Sequence, residues 1–141
     1  ALSSLFHDIT LIAEDDTQYL NYDQLNNANL SQNKKDFIFQ HSFNSAKQLE
    51  IFPVFDLDTL SIIKHHHELP QGQGYPGQSD LKGLKLLSRQ FNIIHFVSYI
   101  IAQSGQFSKS DYYAVRDVFD DQEFLIILDV IYKCFNASDE E

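Results

Sequence analysis

Apolar residues recur at helical spacing along most of this chain of 141 residues. One face of a first predicted helix, for example, carries Leu2, Leu5, Phe6, Ile9 and Ile12. Residues three and four apart meet on the same side of an α-helix, so this spacing predicts amphipathic helices. No alternation typical of β-strands is sustained, and no internal repeat is present. The sequence therefore predicts an all-α fold, a bundle of about five to seven helices.

Capping and helix-breaking residues divide this pattern into segments. Ser31 is a suitable N-cap for a helix carrying His41, and Asp56 or Asp58 for a helix that Pro70 ends. A polar stretch, residues 14–30, separates the first two helices and is predicted to contain about one helical turn, around Thr17–Leu20. A long apolar helix from about Leu84 to Ala102 follows, and then two shorter helices capped by Ser110 and by Asp120 or Asp121.

Composition narrows the class of protein. With 43% hydrophobic residues the chain supports one core, so residues 1–141 are predicted to form a single domain. The single cysteine, Cys134, cannot form an internal disulfide, which favours a reducing, cytoplasmic location. No apolar run approaches the roughly 20 residues of a membrane span. A net charge of −10 argues against a duplex nucleic-acid partner, but not against a small phosphate ligand held through bound cations.

Histidines are concentrated where a metal site can be built. The segment His65–Pro76 contains three consecutive histidines and then a Gly-Gln-Gly-Tyr-Pro turn. Further imidazoles come from His7, next to Asp8, and from His41 and His95 on other predicted helices. Neutral imidazoles bind transition metals, and a carboxylate can bridge two cations. A single histidine of this kind is better explained as a structural residue, but the set predicts a binuclear metal site on which His7, His41, His66 and His67 converge.

The sequence resembles the HD-GYP family, the cyclic di-GMP phosphodiesterases among the HD-type phosphohydrolases. His7–Leu11 corresponds to the family's H-D-I-G-K motif, and Leu30–His41 is similar to its second motif. His66–Pro76 matches H-H-E-x-x-D-G-x-G-Y-P, and Arg89 and His95 stand where the family has an Arg and, six residues later, a metal-binding Asp. The resemblance covers nearly the whole chain and implies an HD-domain-like helical bundle. The chain has no Met and starts inside a predicted helix, so we expect a segment of a longer protein that lacks upstream helices of the domain.

The resemblance implies roles for individual residues. Asp8 would be the bridging and catalytic carboxylate, Glu68 would orient a ligand histidine, and Arg89 would bind substrate. Tyr75 would contact substrate near the catalytic centre, or else would be a packing aromatic that fixes the turn. The implied ligands of the first metal, besides Asp8, are His41, His66 and His67, and those of the second are His7, His95 and a histidine upstream.

The implied cofactors are two divalent transition-metal ions, with iron or manganese favoured and zinc possible. The implied partners are cyclic di-GMP or a related small phosphodiester and a signalling protein. Four departures from the family pattern bear on activity: Leu11 replaces a Lys, Gln71 and His95 each replace an Asp, and a basic run is missing from Ser104–Phe107. The alternatives are a weakly active or inactive metal-bearing module for ligand sensing or protein interaction and, ranked last, a metal-free helical bundle.

Overall fold

The computed structural model describes residues 1–11, 14–77 and 81–136, and within these ranges it is all-α, with seven α-helices and no strand. This confirms the predicted fold class and number of helices. The helices are α1 (Leu2–Phe6), α2 (Tyr22–Asn27), α3 (Gln32–Leu49), α4 (Leu57–His65), α5 (Leu86–Ser104), α6 (Lys109–Val118) and α7 (Gln122–Asn136). Short 3-10 helices lie at Glu14–Gln18, Pro70–Gly72 and Leu81–Gly83. In the described ranges, no helix combines the length and the apolar character that a membrane crossing requires.

The helix starts follow local capping chemistry. The Ser31 side chain accepts a hydrogen bond from the Lys34 amide at the start of α3, and Asp56 accepts one from the Thr59 amide at the start of α4. Both predicted caps are confirmed. The cap of α6 is Ser108 instead of Ser110, because the side chain of Asp111 bonds back to the Ser108 amide and completes a capping box.

The first two helices differ from the prediction. Helix α1 ends at Phe6, and residues 7–10 form turns, in which the Leu11 amide donates to the carbonyl of Asp8 at 2.8 Å. The predicted continuation of the apolar face to Ile9 is therefore wrong, and Ile12 lies outside the described residues. Helix α2 occurs in the polar stretch where only one helical turn was predicted. It starts there because the side chain of Asn21 caps the amide of Gln24.

Contacts divide the chain into two compact units, residues 1–92 and 93–141. In the first unit, Ala46 and Leu49 of α3 pack with Phe55 and Ile63, and residues of α1 and α4 join them: Leu2, Phe6 and Leu60. This core brings α1, α3 and α4 together, so the residues that follow α1 and those that end α4 come to lie beside α3. In the second unit, the buried Phe119, which directly follows α6, packs against Phe124 of α7 with ring centroids 5.3 Å apart.

Candidate metal centre

Three separate parts of the first unit supply one cluster of ligand atoms. Asp8 lies in the turn after α1, His41 in the middle of α3, and His66 and His67 directly after the last residue of α4. One donor atom from each of these four side chains lies within 4.8 Å of all the others, and together they could hold a metal ion. The three imidazoles are buried, with at most 3% exposure. The structure thus brings together all four residues that the resemblance assigns to the first metal.

Three ligand atoms of the cluster lie within 3.2 Å of one another. Oδ1 of Asp8 lies 3.0 Å from Nε2 of His41 and 3.2 Å from Nε2 of His66. The two Nε2 atoms are themselves 3.2 Å apart. Ligand atoms that share one metal at bond lengths of about 2.0–2.2 Å are separated by roughly 3.0–3.5 Å. The observed spacing is therefore that of neighbouring ligands around one ion.

Hydrogen bonds to the backbone determine which ring nitrogen of each imidazole is available to a metal. Nδ1 of His41 lies 2.5 Å from the carbonyl oxygen of Ile38, and Nδ1 of His66 lies 2.6 Å from that of Ile63. A carbonyl oxygen only accepts, so both Nδ1 atoms must donate, and in a neutral ring Nε2 then carries a lone pair. Two imidazole lone pairs and a carboxylate oxygen consequently face one another. Three acceptors would repel at this distance unless a proton or a cation lay between them, so the arrangement fits a bound cation.

The protonation states agree with metal binding. Burial lowers the pKa of His66 to about 4, so its ring is neutral at pH 7. Burial acts to raise the pKa of Asp8, but hydrogen bonding with His41, His66 and His7 outweighs it and holds the pKa well below its usual range. The cluster therefore presents an ionised carboxylate and a neutral imidazole, which are the ligand forms that metals require.

His7 lies on the other side of the same carboxylate. Its Nε2 is 3.2 Å from Oδ2 of Asp8, whereas His41 and His66 lie close to Oδ1. Burial acts to lower the pKa of His7, but its hydrogen bond with Asp8 outweighs this and raises the pKa. The two oxygens of Asp8 thus face different imidazoles, as a bridging carboxylate requires. The side chains of His7 and Asp8 are 20% and 21% exposed, whereas those of His41 and His66 are fully buried, so solvent reaches the cluster from the His7 side.

The turn that follows the ligands packs directly on His67. The amide of Tyr75 donates to the carbonyl of His67 at 3.1 Å, and the two rings stack with centroids 4.3 Å apart. A Cβ atom on Gly74 would lie 2.1 Å from the carbonyl oxygen of His67 and 2.4 Å from the amide nitrogen of Leu69. Only glycine permits this approach. The spacing between the histidines and the Gly-Tyr-Pro segment is therefore a packing requirement.

Tyr75 is buried, with 1% exposure, and its hydroxyl donates to the carbonyl of Tyr19. This position favours the packing role over the substrate contact, which stays a prediction.

Glu68 is fully buried beside His67, consistent with an orienting role. Arg89 lies in the part of α5 that belongs to the first unit, and His95 in the part that belongs to the second. Both are partly buried, and their functional roles stay predictions.

One buried residue that contacts the ligand segment was not predicted from the sequence. Asn92 on α5 donates two hydrogen bonds to backbone carbonyls on either side of His66 and His67. Asn92 is one of three amide side chains in α5, with Gln90 and Gln103, so the sequence does not single it out.

Comparisons of the chain with models of known protein families, with curated proteins and with solved structures found no match. Fold and site together define an all-α protein with a buried His/Asp cluster that could hold a metal ion.

Tyr75 gives a prediction for alkaline pH. Burial, and after it the charge of Asp8, raises the pKa of Tyr75 well above the ordinary value of 10.0. Above pH 10 the unfolded chain loses this proton while the folded chain keeps it, so the free energy of unfolding should fall as pH rises, by at most about 1.4 kcal/mol per pH unit. Tyr75→Phe should make this decline shallower in urea titrations between pH 9.5 and 11. Tyr113→Phe removes an exposed hydroxyl and is the matched control; equal slopes in Tyr75→Phe and the natural chain would contradict the prediction.

Proposed function

We propose that this chain is a divergent HD-GYP-like phosphodiesterase that hydrolyses cyclic di-GMP at a binuclear metal site. The observation that carries the proposal is the carboxylate of Asp8, with one oxygen facing His41 and His66 and the other facing His7. The ligands follow one another along the chain in the order that the resemblance implies, and the Gly-Tyr-Pro turn packs on the last of them. A cytoplasmic location and a bacterial signalling partner belong to the same proposal.

The two sides of the cluster would have different roles in catalysis. Two divalent ions, with iron or manganese favoured and zinc possible, would polarise the phosphate and lower the pKa of a water molecule. His41 and His66 are fixed by their backbone hydrogen bonds and shielded from solvent, so they hold their position without reorganisation. Asp8 supplies negative charge between His7 on one side and His41 and His66 on the other. Among the described residues of the cluster, His7 and Asp8 are the partly exposed ones, so a substrate phosphate would enter on their side.

The second candidate is a metal-bearing module with little or no activity, used for ligand sensing or protein interaction. The sequence observations in its favour are Leu11, at the position of a family Lys, and the absence of any base from Ser104–Phe107. Loss of one well-placed group that stabilises charge in the transition state commonly costs about 10²–10³ in rate. We therefore expect the natural chain to hydrolyse cyclic di-GMP slowly.

Restoring a cation should raise this rate. Leu11→Lys places an ammonium group three residues after Asp8, whose carbonyl accepts a hydrogen bond from the amide of residue 11. We expect the variant to hydrolyse cyclic di-GMP at least about 10-fold faster than the natural chain, because the cation offsets charge that develops on the phosphate. The assay would follow product formation by chromatography with protein loaded in turn with iron, manganese and zinc.

Leu5→Lys is the matched control, because it adds the same charge at an α1 residue whose side chain is 75% exposed. It should leave the rate unchanged. If fully metallated natural chain and Leu11→Lys both fail to bind or hydrolyse the dinucleotide, the interaction module becomes the better explanation. Rapid turnover by the natural chain would instead show that the missing bases are dispensable.

A further inference from the structure

We propose that Asn92 is a positioning residue for the metal centre, and that it acts by clamping the backbone turn that carries His66 and His67. The inference rests on the metal site of the proposed function. Asn92 is not itself one of the metal ligands, and it lies on α5, which supplies none of the four clustered ligands.

The turn spans His65 to Glu68. The amide of Glu68 donates to the carbonyl of His65 at 3.0 Å, so His66 and His67 occupy the two central positions of the turn. The side-chain nitrogen of Asn92 donates to the carbonyl of His65 at 2.8 Å and to that of Glu68 at 2.6 Å. An amide NH₂ group has two N–H donors, and both are used here. Asn92 therefore ties the first residue of the turn to the last.

The position of the turn explains why a clamp is useful. Helix α4 ends at His65, and the last carbonyls of a helix have no partner within it. Without a donor from elsewhere, the residues after a helix end are free to change their backbone angles. Such a change would rotate the Cβ atoms of His66 and His67 and move Nε2 of His66 from its place 3.2 Å from Oδ1 of Asp8. Holding both carbonyls fixes the direction of two ligands at once.

The burial of Asn92 points in the same direction. The residue is only 2% exposed, and among the described residues its Oδ1 atom has no hydrogen-bond partner. A buried acceptor without a partner destabilises the fold, and an apolar side chain at this position of α5 would avoid that cost. Both donors of Asn92 serve the turn that bears the ligands. The two hydrogen bonds that Asn92 donates to the turn therefore explain why this polar residue is buried in α5.

The test measures metal affinity separately from folding. We would titrate the full chain with Zn²⁺ against a chromophoric chelator, and would record the absorption spectrum of the Co²⁺-loaded protein. Groups that orient metal ligands typically contribute about 10–100-fold to affinity, so Asn92→Ala should weaken Zn²⁺ binding by that factor and alter the Co²⁺ spectrum. Asn92→Ser keeps one donor on a shorter side chain and should lie between.

Asn136→Ala is the matched control. The side-chain nitrogen of Asn136 likewise donates to two backbone carbonyls, those of Phe107 at 3.3 Å and Tyr132 at 2.9 Å, but in the second unit. Its loss should lower the free energy of unfolding without changing the Zn²⁺ affinity or the Co²⁺ spectrum. If the role of Asn92 were purely structural, Asn92→Ala would likewise lower the free energy of unfolding without changing the Zn²⁺ affinity or the Co²⁺ spectrum.

The outcomes are distinguishable. If the natural chain binds Zn²⁺ and a folded Asn92→Ala variant binds it equally well with an unchanged Co²⁺ spectrum, the inference is overturned while the metal site stands. If Asn92→Ala does not fold, Asn92→Ser decides, and natural affinity in that folded variant also overturns the inference. Failure of the natural chain to bind any metal removes the proposed function itself, and the clamp with it.

Discussion

Replacing both His66 and His67 with Ala should abolish metal binding and leave the helices intact. The two residues supply half of the four-residue cluster and lie on a single turn. Structural zinc sites with four ligands bind with about 10–16 kcal/mol, or about 3 kcal/mol for each ligand, so losing two should weaken binding by roughly 10⁴-fold. Equilibrium dialysis followed by elemental analysis measures this loss, and circular dichroism measures the helix content.

His65→Ala is the matched control, because His65 is the adjacent histidine but lies outside the cluster. Its Nδ1 donates to the carbonyl of Ser61 at 2.8 Å, one turn back along α4. The variant should keep its metal. If the double variant of His66 and His67 instead held as much metal as the natural chain, the ligand assignment would be wrong.

Gly74→Ala should cause the second large effect, on stability and on metal content together. The added Cβ would meet the backbone of His67 and Leu69, and it would also lie 2.7 Å from Cα of Glu68. Overpacking typically costs about 1–3 kcal/mol, and we expect a value at or above the upper end because backbone atoms cannot rotate aside as a flexible side chain can. Any relief requires the turn to move away from His67, which displaces a ligand.

Urea unfolding and metal analysis of the same sample would test this pair of effects. Gly83→Ala provides the control, since a Cβ there would have no atom of the described residues within 4 Å, and it should change the free energy of unfolding by no more than about 0.5 kcal/mol. A Gly74→Ala variant with natural stability and natural metal content would show that the turn is not packed against His67.

The sequence predicted those parts of the fold that depend on local chemistry. The caps at Ser31 and Asp56 were predictable because a side-chain oxygen bonds to an amide only three residues away. The end of α1 at Phe6 was not, because its apolar pattern continues to Ile9 although the backbone turns at His7. There the turn places Asp8 against His41 of α3 and His66, which follows α4, and no local pattern records such distant partners.

Some residues of the candidate site were likewise predictable from the sequence, and others were not. Asp8 and the clustered histidines were predicted because few residue types bind metals, so their presence and order are informative. Asn92 was missed because it acts on backbone carbonyls, which every residue has, and an asparagine in a helix has no special spacing. The two roles considered for Tyr75 could be weighed only with its burial and its hydroxyl contact to Tyr19 known.

The ligands come from distant parts of the chain, and His41 and His66 alone are separated by 25 residues. An ion shared by the turn after α1, by α3 and by the end of α4 would act as a covalent cross-link does, in a chain whose single cysteine cannot form one within it. Its stabilisation would grow with the free metal concentration. Because the ligands come from the turn after α1, from α3 and from the end of α4, the full ligand set would exist only after these helices have docked, so retention of the ion would report that docking.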